Sequence, residues 1–274
     1  MNTQHNTDDF DLFRGFLLET SGIELASDKE YLVESRLGQL MDTYELESWS
    51  ELVEKIRSGT ADKVKAEVID AMTTNETLWF RDQHPFTNLT ETILPELANT
   101  KSAIKIWSAA CSTGQEPYSI AMCLEEFLKQ NSSLRLDYSI TATDVSESVL
   151  SACREGRYDE YALGRGLPDA FKKRYFEHEA DGSFRIEDDV RHHVSFGAKN
   201  LLDSFNDLGE FDVVFCRNVL IYFPSEIKRA ILEKIYDSLV PGGYLLVGAS
   251  EGLSSLGTHF KMITCPLGII YRKI

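Results

Sequence analysis

The stretch IKIWSAACSTGQEPYSIAM, residues 104–122, contains the pattern that decides the fold. It opens with a short apolar run (104–109), continues through a loop of small residues, and enters a helical stretch at Pro117, a residue that suits the first turn of a helix. Three further apolar or β-branched runs follow: YSITAT (138–143), FDVVFC (211–216) and YLLVGA (244–249). Helical stretches are predicted among them, at 117–130, 146–155 and 225–239. Apolar strands that alternate with helices predict an α/β fold with a doubly wound, mainly parallel sheet.

The chain before this stretch has a different pattern. The segment DDFDLFRGFLLETSG places Phe10, Phe13 and Leu17 at helical spacing, and Gly22 follows as a stop signal. Three more amphipathic stretches without proline follow, at 28–42, 48–58 and 61–73. The pattern therefore predicts a small all-helical N-terminal domain at 1–74, a linker with a helix at 75–103, and the sheet domain at 104–274.

Two regions of the sheet domain depart from strand–helix alternation. In residues 156–199, the segment RYFEHEADGSFRIEDD predicts two short strands around a turn at Asp181-Gly182, and so a small antiparallel insert. The final segment FKMITCPLGIIYRKI predicts a hairpin that closes the main sheet with an antiparallel edge strand.

Composition excludes several classes of protein. The net charge of −16 argues against a nucleic-acid partner, because Lys and Arg side chains drive duplex binding. The five cysteines are scattered and form no CxxC pair, which argues against a disulfide scaffold or a zinc site. No apolar run approaches the ~20 residues that span a bilayer, and the N-terminus lacks the layout of a signal peptide. We therefore expect a cytoplasmic monomer without membrane insertion.

Polar and small residues follow the first two strands of the predicted sheet. The loop after the first strand would let its backbone approach a ligand, and the second strand ends at Asp144. An acid at the end of strand two is the usual arrangement for binding ribose hydroxyls, and ligands of open α/β sheets bind at the carboxyl ends of strands. The loop taken alone could be an ordinary strand-to-helix turn, and Asp144 taken alone could cap the helix that starts at Ser146. Together they favour an adenosine-containing cofactor.

Missing motifs narrow the choice of cofactor. The chain contains no GxGxxG, no GxxxxGK[ST] and no HExxH motif, and no convincing pairing of a nucleophile with a base. We expect no protein metal site. The chemistry must then come from the cofactor, and S-adenosylmethionine fits.

Six strings in order resemble the chemotaxis receptor methyltransferases, the CheR family. They are TTNETLWFR (73–81), WSAACSTGQEPYSIAM (107–122), TATDVSESVL (141–150), GRYDEYALGRGLP (156–168), FGAKNLLD (196–203) and FDVVFCRNVLIYF (211–223). The resemblance implies a Rossmann-like, class I S-adenosylmethionine-dependent methyltransferase domain. It also implies transfer of the methyl group to glutamate side chains of receptors, with S-adenosylhomocysteine as product. Trp79 departs from the family, since many relatives have Phe there.

The resemblance also implies roles for residues at matching positions. Asn75, Thr77 and Arg81 match cofactor-contacting positions, and Arg81 would meet the methionine carboxylate or the substrate acid. Glu116 would bind the cofactor's amino group or a neighbouring polar group, and Asp144 the ribose hydroxyls. The residues that would line the adenine and methionine ends are Asn200, Leu201, Arg217 and Asn218. Tyr222 would lie near the transferred methyl, so Arg81 and Tyr222 are the candidates for orienting the acceptor carboxylate.

Several of these residues have ordinary structural alternatives. Asn75 and Thr77 could cap a following helix, Arg217 could form a salt bridge at the end of the sheet, and Tyr222 could be a core aromatic residue.

The resemblance gives the helical domain and the insert roles in substrate binding. The helical domain would cover the cleft and contact the helical cytoplasmic domains of methyl-accepting chemotaxis receptors through Lys29 and Arg36, with Arg14 as a further candidate. The insert could bind a C-terminal receptor peptide. Two alternatives remain open at this point: a methyltransferase of the same fold with another acceptor, and a cofactor-binding regulator without activity.

Overall fold

The computed structural model describes residues 7–58, 62–253 and 259–274. The predicted N-terminal domain therefore has residues 1–6 and 59–61 outside the described part of the chain. Within the described ranges, the helices are α1 (Thr7–Ser21), α2 (Glu30–Thr43), α3 (Trp49–Arg57), α4 (Asp62–Met72), α5 (His84–Asn88), α6 (Leu94–Ala98), α7 (Gln115–Gln130), α8 (Glu147–Glu155), α9 (Glu160–Gly164), α10 (Asp169–Tyr175), α11 (Asp188–Arg191) and α12 (Ser225–Ser238). A π-helical turn (Leu89–Ile93) joins α5 to α6, and a 3-10 turn covers Leu220–Tyr222.

The strands of the described chain form one large sheet and one small sheet. They are β1 (Ala103–Ala109), β2 (Asp137–Asp144), β3 (Arg157–Tyr158), β4 (Phe176–His178), β5 (Phe184–Ile186), β6 (Val194–Ala198), β7 (Phe211–Cys216), β8 (Leu239–Val247), β9 (Phe260–Cys265) and β10 (Gly268–Lys273). The large sheet has the order β6-β2-β1-β7-β8-β10-β9. Its first five strands are parallel, and β10 and β9 add to it in antiparallel fashion. The predicted sheet and its closing hairpin are confirmed.

The order of the strands creates a crevice beside β1. The chain builds outward from β1 to β2 and β6, and then returns to the other side of β1 with β7 and β8. Such a reversal separates the loops at the carboxyl ends of β1 and β7, and this is where ligands of open parallel sheets bind. The centre of the sheet is buried on both faces, since every residue of β7 is buried.

The N-terminal helices have a hydrophobic core of their own. Phe13, Leu17, Val33, Leu37 and Leu52 are each fully buried in it. A separate core makes the four helices a compact layer beside the sheet domain, as the helical periodicity predicts.

Gly22 allows the loop after α1 to reach the sheet domain. Its φ of +75° is in the left-handed region, and a Cβ there would lie 2.8 Å from the Phe223 ring. The Glu24 N–H donates to the Tyr222 carbonyl at 3.2 Å, and the Asn200 amide donates to the Thr20 carbonyl at 2.7 Å. The helical layer therefore contacts the sheet domain at the loop after β6 and at the loop that precedes α12.

The small sheet has the order β3-β5-β4 and is antiparallel. Its turn includes Asp181 and Gly182, and the Glu179 N–H donates to the Ser183 carbonyl at 2.8 Å, as the sequence predicts. The range 156–199 is nevertheless too long for a separate insert. Residues Val194–Ala198 instead pair in parallel with β2 and form an edge strand of the large sheet. In the described ranges, no helix is long and apolar enough to cross a membrane.

Candidate active site

A cleft lies between the helical layer and the carboxyl ends of β1, β2 and β7. From the helical side it is lined by Ser21, Ile23, Glu24, Leu25, Leu32 and Arg36. From the sheet domain and the segment before it, the lining includes Asn75, Thr77, Arg81, Glu116, Asp144, Asn200, Leu201, Arg217, Asn218 and Tyr222. The structure therefore brings all the predicted cofactor and catalytic residues to one cavity, although they come from five separate parts of the sequence.

Asp144 ends β2 and is 6% exposed. Its Oδ2 accepts a hydrogen bond from the Ser112 N–H at 2.8 Å, and its Oδ1 accepts from the Ser146 N–H at 3.1 Å. Burial raises the pKa of the Asp144 carboxyl, and the N–H donors of Ser146 and Ser112 oppose the rise. The helix-cap alternative is wrong, because Ser146 itself caps α8 by accepting from the Val149 N–H. Asp144 instead joins the end of β2 to the loop after β1.

The loop after β1 has an unusual backbone. Ala110 and Ser112 have φ values of +58° and +50°, and Gly114 has +91°. The Ser112 hydroxyl donates to the Asn75 carbonyl at 2.9 Å, so this loop also holds the segment before the sheet domain. Non-glycine residues with positive φ are uncommon, cost free energy and cluster at functional sites.

A buried charge network forms one wall of the cleft. The Arg217 side chain is 1% exposed, and its guanidinium contacts the Glu116 carboxylate at 2.8 Å and the Asp82 carboxylate at 2.7 Å. It also donates to the Arg81 carbonyl at 2.8 Å. Glu116 accepts a further hydrogen bond from the Ser108 hydroxyl. Arg217 therefore forms the salt bridge that was its structural alternative. Glu116 binds neighbouring polar groups, the Arg217 guanidinium and the Ser108 hydroxyl.

The segment from Asn75 to Arg81 lies across the cleft without regular secondary structure. The capping alternative for Asn75 and Thr77 is wrong, because the next helix begins only at His84. The Arg81 guanidinium donates to the Glu76 carbonyl at 3.0 Å. A carbonyl oxygen carries no net charge, so this hydrogen bond does not neutralise the Arg81 guanidinium, which lines the cavity.

Asn218 and Tyr222 belong to the loop after β7. Asn218 has a φ of +58°, and Tyr222 ends the 3-10 turn beside Ile221, which is 48% exposed. In the loop after β6, Leu201 is buried. The side-chain Oδ1 of Asn200 accepts a hydrogen bond from the Leu202 N–H.

Sequence reasoning missed Glu251, which holds the loop after β7. Glu251 is 5% exposed, and its Oε2 accepts from the N–H groups of Asn218 at 2.6 Å and Gly248 at 2.8 Å. Its Oε1 accepts from the Ile221 N–H at 3.2 Å. The available signal was weaker than for Asp144, which itself ends β2, because Glu251 follows the end of β8 by four residues.

The structure engages Arg36, one of the two predicted receptor contacts, in hydrogen bonds inside the helical domain. Arg36 donates to the carbonyls of Met72 at 2.8 Å and Thr73 at 3.2 Å, so it satisfies the free carbonyls at the C-terminus of α4. Lys29 precedes α2 as its N-cap, with the ammonium 3.7 Å from the Asp28 carboxylate. Lys29 and Arg36 are seven residues apart, a spacing that would place both on one helical face, but α2 begins only at Glu30 and so includes only Arg36. Arg14 is also held internally, by the Leu25 carbonyl at 2.7 Å.

The chemistry of the cleft fits S-adenosylmethionine. The buried carboxylate of Asp144 has lone pairs that can accept hydrogen bonds from hydroxyl groups such as those of a ribose, and Ile23, Leu25 and Leu201 offer apolar surface. Lys199 and Arg217 are ion-paired, whereas Arg36 and Arg81 hydrogen-bond only to uncharged oxygens of the described residues. Because Arg36 is engaged by the C-terminus of α4, Arg81 is the cation of this lining that is most available for an anionic group such as the methionine carboxylate. The fold and the cleft together define a class I S-adenosylmethionine-dependent methyltransferase.

Comparison with known proteins identifies the family. The model described as "CheR methyltransferase, all-alpha domain" matches residues 8–73, and the model described as "CheR methyltransferase, SAM binding domain" matches residues 75–269. The chain belongs to the CheR methyltransferase family.

Named relatives are similar over nearly the whole chain. Chemotaxis protein methyltransferase 1 of Pseudomonas aeruginosa is 51% identical over 267 residues, which cover 96% of this chain and 97% of that protein. The Chemotaxis protein methyltransferase of Vibrio parahaemolyticus is 49% identical over 260 residues, with coverage of 95% and 94%. Chemotaxis protein methyltransferase Cher2 of Pseudomonas putida is 46% identical over 267 residues, with coverage of 96% and 97%.

Proposed function

We propose that this enzyme transfers a methyl group from S-adenosylmethionine to glutamate side chains of methyl-accepting chemotaxis receptors, which gives glutamate methyl esters and S-adenosylhomocysteine. The observation that carries the proposal is the cleft itself: Asp144 lies at the end of β2, and Arg81 and Tyr222 line the same cavity. Full-length similarity to chemotaxis protein methyltransferases supports the choice of receptor.

The residues of this chain have to bind and orient the reactants. S-adenosylmethionine supplies an electrophilic methyl group when it is bound. A glutamate side chain has an ordinary pKa of about 4.3, so it is ionised at neutral pH and needs no general base. Arg81 and Tyr222 would orient the acceptor oxygen, and alignment of reactants can contribute roughly 7–11 kcal/mol. A pairing with Arg81 that is too strong would stabilise the ground state and slow the transfer.

Other contacts of the cofactor site are part of the same proposal. Asn75 and Thr77 would contact the cofactor from the segment before the sheet domain, and Asn200 and Leu201 from the loop after β6. Asn218 would contact it directly from the loop after β7. Arg217 would act by fixing Glu116 and the Arg81 backbone, because its guanidinium already holds both.

A radiolabel assay tests the proposed function. Purified protein with methyl-labelled S-adenosylmethionine should label membranes that contain a chemotaxis receptor, and alkali should release the label as methanol. Membranes with the acceptor glutamates replaced by alanine are the matched control. Label on a small molecule instead would indicate another acceptor, and cofactor binding without S-adenosylhomocysteine would indicate an inactive regulator.

The rate of transfer should be nearly independent of pH between about pH 6 and 8. The acceptor glutamates are already ionised in this range, and the mechanism uses no enzyme base. Initial rates at saturating cofactor, measured with receptor membranes across this range, check the prediction. A single-proton rise near neutrality with unchanged cofactor affinity would contradict base-free transfer.

We propose the cytoplasm as the location, a monomer as the active form, and the cytoplasmic helical domain of a receptor as the partner.

A receptor C-terminal peptide could add a strand to the small sheet. The order β3-β5-β4 leaves β3 and β4 as the outer strands of that sheet within the described chain, and strand addition at an edge is a common mode of peptide recognition.

Lys29→Glu should raise the Michaelis constant for receptor without changing the affinity for S-adenosylmethionine. Lys29 is 41% exposed in its side chain and is the remaining candidate contact of the pair, since Arg36 is engaged by α4. An exposed charge contributes roughly 0.2–1 kcal/mol, so the increase should be up to about fivefold and larger at low salt. Kinetics on receptor membranes at two ionic strengths measure the effect.

Lys63→Glu is the matched control for Lys29→Glu. Lys63 lies on α4 of the same domain with a side chain that is 82% exposed, and the substitution makes the same change of charge. Equal effects of the two variants would mean that net charge, rather than a contact of Lys29, governs encounter with the receptor.

A further inference from the structure

The small antiparallel sheet packs directly on the segment that crosses the cofactor cleft. The Trp79 indole is fully buried, with its ring centroid 4.9 Å from that of Tyr158 and 5.3 Å from that of Phe176, both edge-on. Phe80 meets the Phe171 ring at 5.0 Å. Tyr158 and Phe176 belong to β3 and β4, so the small sheet supplies the surface on which this segment lies.

The loop after α9 makes three contacts with the same segment, two with its backbone and one with a side chain. The Trp79 N–H donates to the Arg165 carbonyl at 3.0 Å, and the Arg165 guanidinium is ion-paired with the Glu76 carboxylate. Gly166 has a φ of +93°, and a Cβ at this position would lie 2.3 Å from the Trp79 carbonyl oxygen. The two backbones therefore approach so closely that only glycine fits.

We propose that Arg165 and Gly166 are positioning residues for the cofactor site. They set the path of residues 75–81, and through it the positions of Asn75, Thr77 and Arg81 in the cleft. The small sheet then has a role in catalysis that is separate from any binding of a receptor peptide, since its inner side fixes the segment that contacts the cofactor. This inference rests on the proposed placement of the cofactor against residues 75–81.

Gly166→Ala tests the proposal, with Gly164→Ala as its matched control. Gly164 is two residues away, has no positive φ, and a Cβ there would meet nothing within 4 Å. We expect Gly166→Ala to weaken S-adenosylmethionine binding at least tenfold by calorimetry and to lower kcat, while the Michaelis constant for receptor stays unchanged. Gly164→Ala should behave like the parent in all three measurements.

Thermal unfolding of the cofactor-free protein separates positioning from a general effect on stability. If Gly166→Ala lowers the melting temperature but the folded protein binds S-adenosylmethionine as the parent does, the proposal is wrong. If Gly166→Ala does not fold, Arg165→Ala decides the question. This substitution removes the ion pair with Glu76 at a partly exposed side chain, and we expect it to weaken cofactor binding by twofold to fivefold. Parent-like binding by Arg165→Ala would then overturn the proposal.

Arg81→Ala distinguishes failure of this inference from failure of the proposed site. Weaker cofactor binding by Arg81→Ala together with parent-like binding by Gly166→Ala would leave the site in place and reject the positioning role. Parent-like binding by both Arg81→Ala and Asn75→Ala would instead argue against a cofactor contact with residues 75–81.

Discussion

Asp144→Ala should weaken S-adenosylmethionine binding by roughly tenfold to more than a hundredfold. A hydrogen bond to a charged group contributes about 1.5–3 kcal/mol, and each 1.4 kcal/mol corresponds to a factor of ten. The carboxylate is 6% exposed and also accepts from the N–H groups of Ser112 and Ser146. Its loss removes the acceptor for the ribose and releases the loop after β1. Calorimetry with S-adenosylmethionine and S-adenosylhomocysteine measures the change.

Asp137→Ala is the matched control for Asp144→Ala. Asp137 is the first residue of β2 and is exposed, whereas Asp144 is the last. The control makes the same change of side chain and charge on the same strand, at the end away from the cleft, and should leave cofactor affinity unchanged. Unchanged affinity in a folded Asp144→Ala variant would mean that other residues hold the ribose.

Arg217→Ala should lower the free energy of unfolding by about 3–5 kcal/mol and abolish methyl transfer. Removing one partner of a buried ion pair leaves an uncompensated charge, and losses of this size are typical. Here the Arg217 side chain is 1% exposed and Glu116 is 13% exposed, so water cannot replace the guanidinium well. Denaturant unfolding of the cofactor-free protein measures the stability, and the receptor assay measures the activity.

Two further variants identify the cause of the Arg217→Ala effect. The double variant Arg217→Met with Glu116→Gln removes both charges of the pair and should regain part of the lost stability, but not the activity. Arg229→Ala breaks an exposed pair on α12, where the side chains are 62% and 48% exposed, and should change stability by less than about 0.5 kcal/mol. If the double variant is as unstable as Arg217→Ala, the loss comes from the contacts of Arg217 with Asp82 and the Arg81 carbonyl rather than from the unpaired Glu116.

The helices and strands could be predicted because their signals are local. Burial on both faces makes β7 apolar at every position, and helical spacing of Phe13 and Leu17 gives α1 its buried side. The positions of Asp144 and of the loop after β1 then follow from one rule, since parallel strands end at the same edge of a sheet. The resemblance to a family added Asn75, Thr77 and Arg81, which neither periodicity nor spacing would have selected.

The contacts of the charged residues could not be predicted in the same way. Arg36 has the spacing of an exposed cation on α2, yet its guanidinium binds carbonyls 36 and 37 residues later in the chain. Arg217 reaches Glu116 and Asp82 across 101 and 135 residues. Glu251 accepts a hydrogen bond from the Asn218 N–H across 33 residues. Gly166 lies against the Trp79 backbone, a contact that no sequence pattern predicts.

The sequence by itself therefore determined the fold class, the end of the sheet at which we propose that the cofactor binds, and the acid that ends β2. The tertiary structure alone decided which cations remain available in the cleft and which elements hold residues 75–81 in place. The physical reason is the separation along the sequence over which each signal acts. Hydrophobic periodicity is set by neighbours within one or two helical turns, whereas the charge state of a site depends on whichever distant groups the packed chain places within about 3 Å of each side chain.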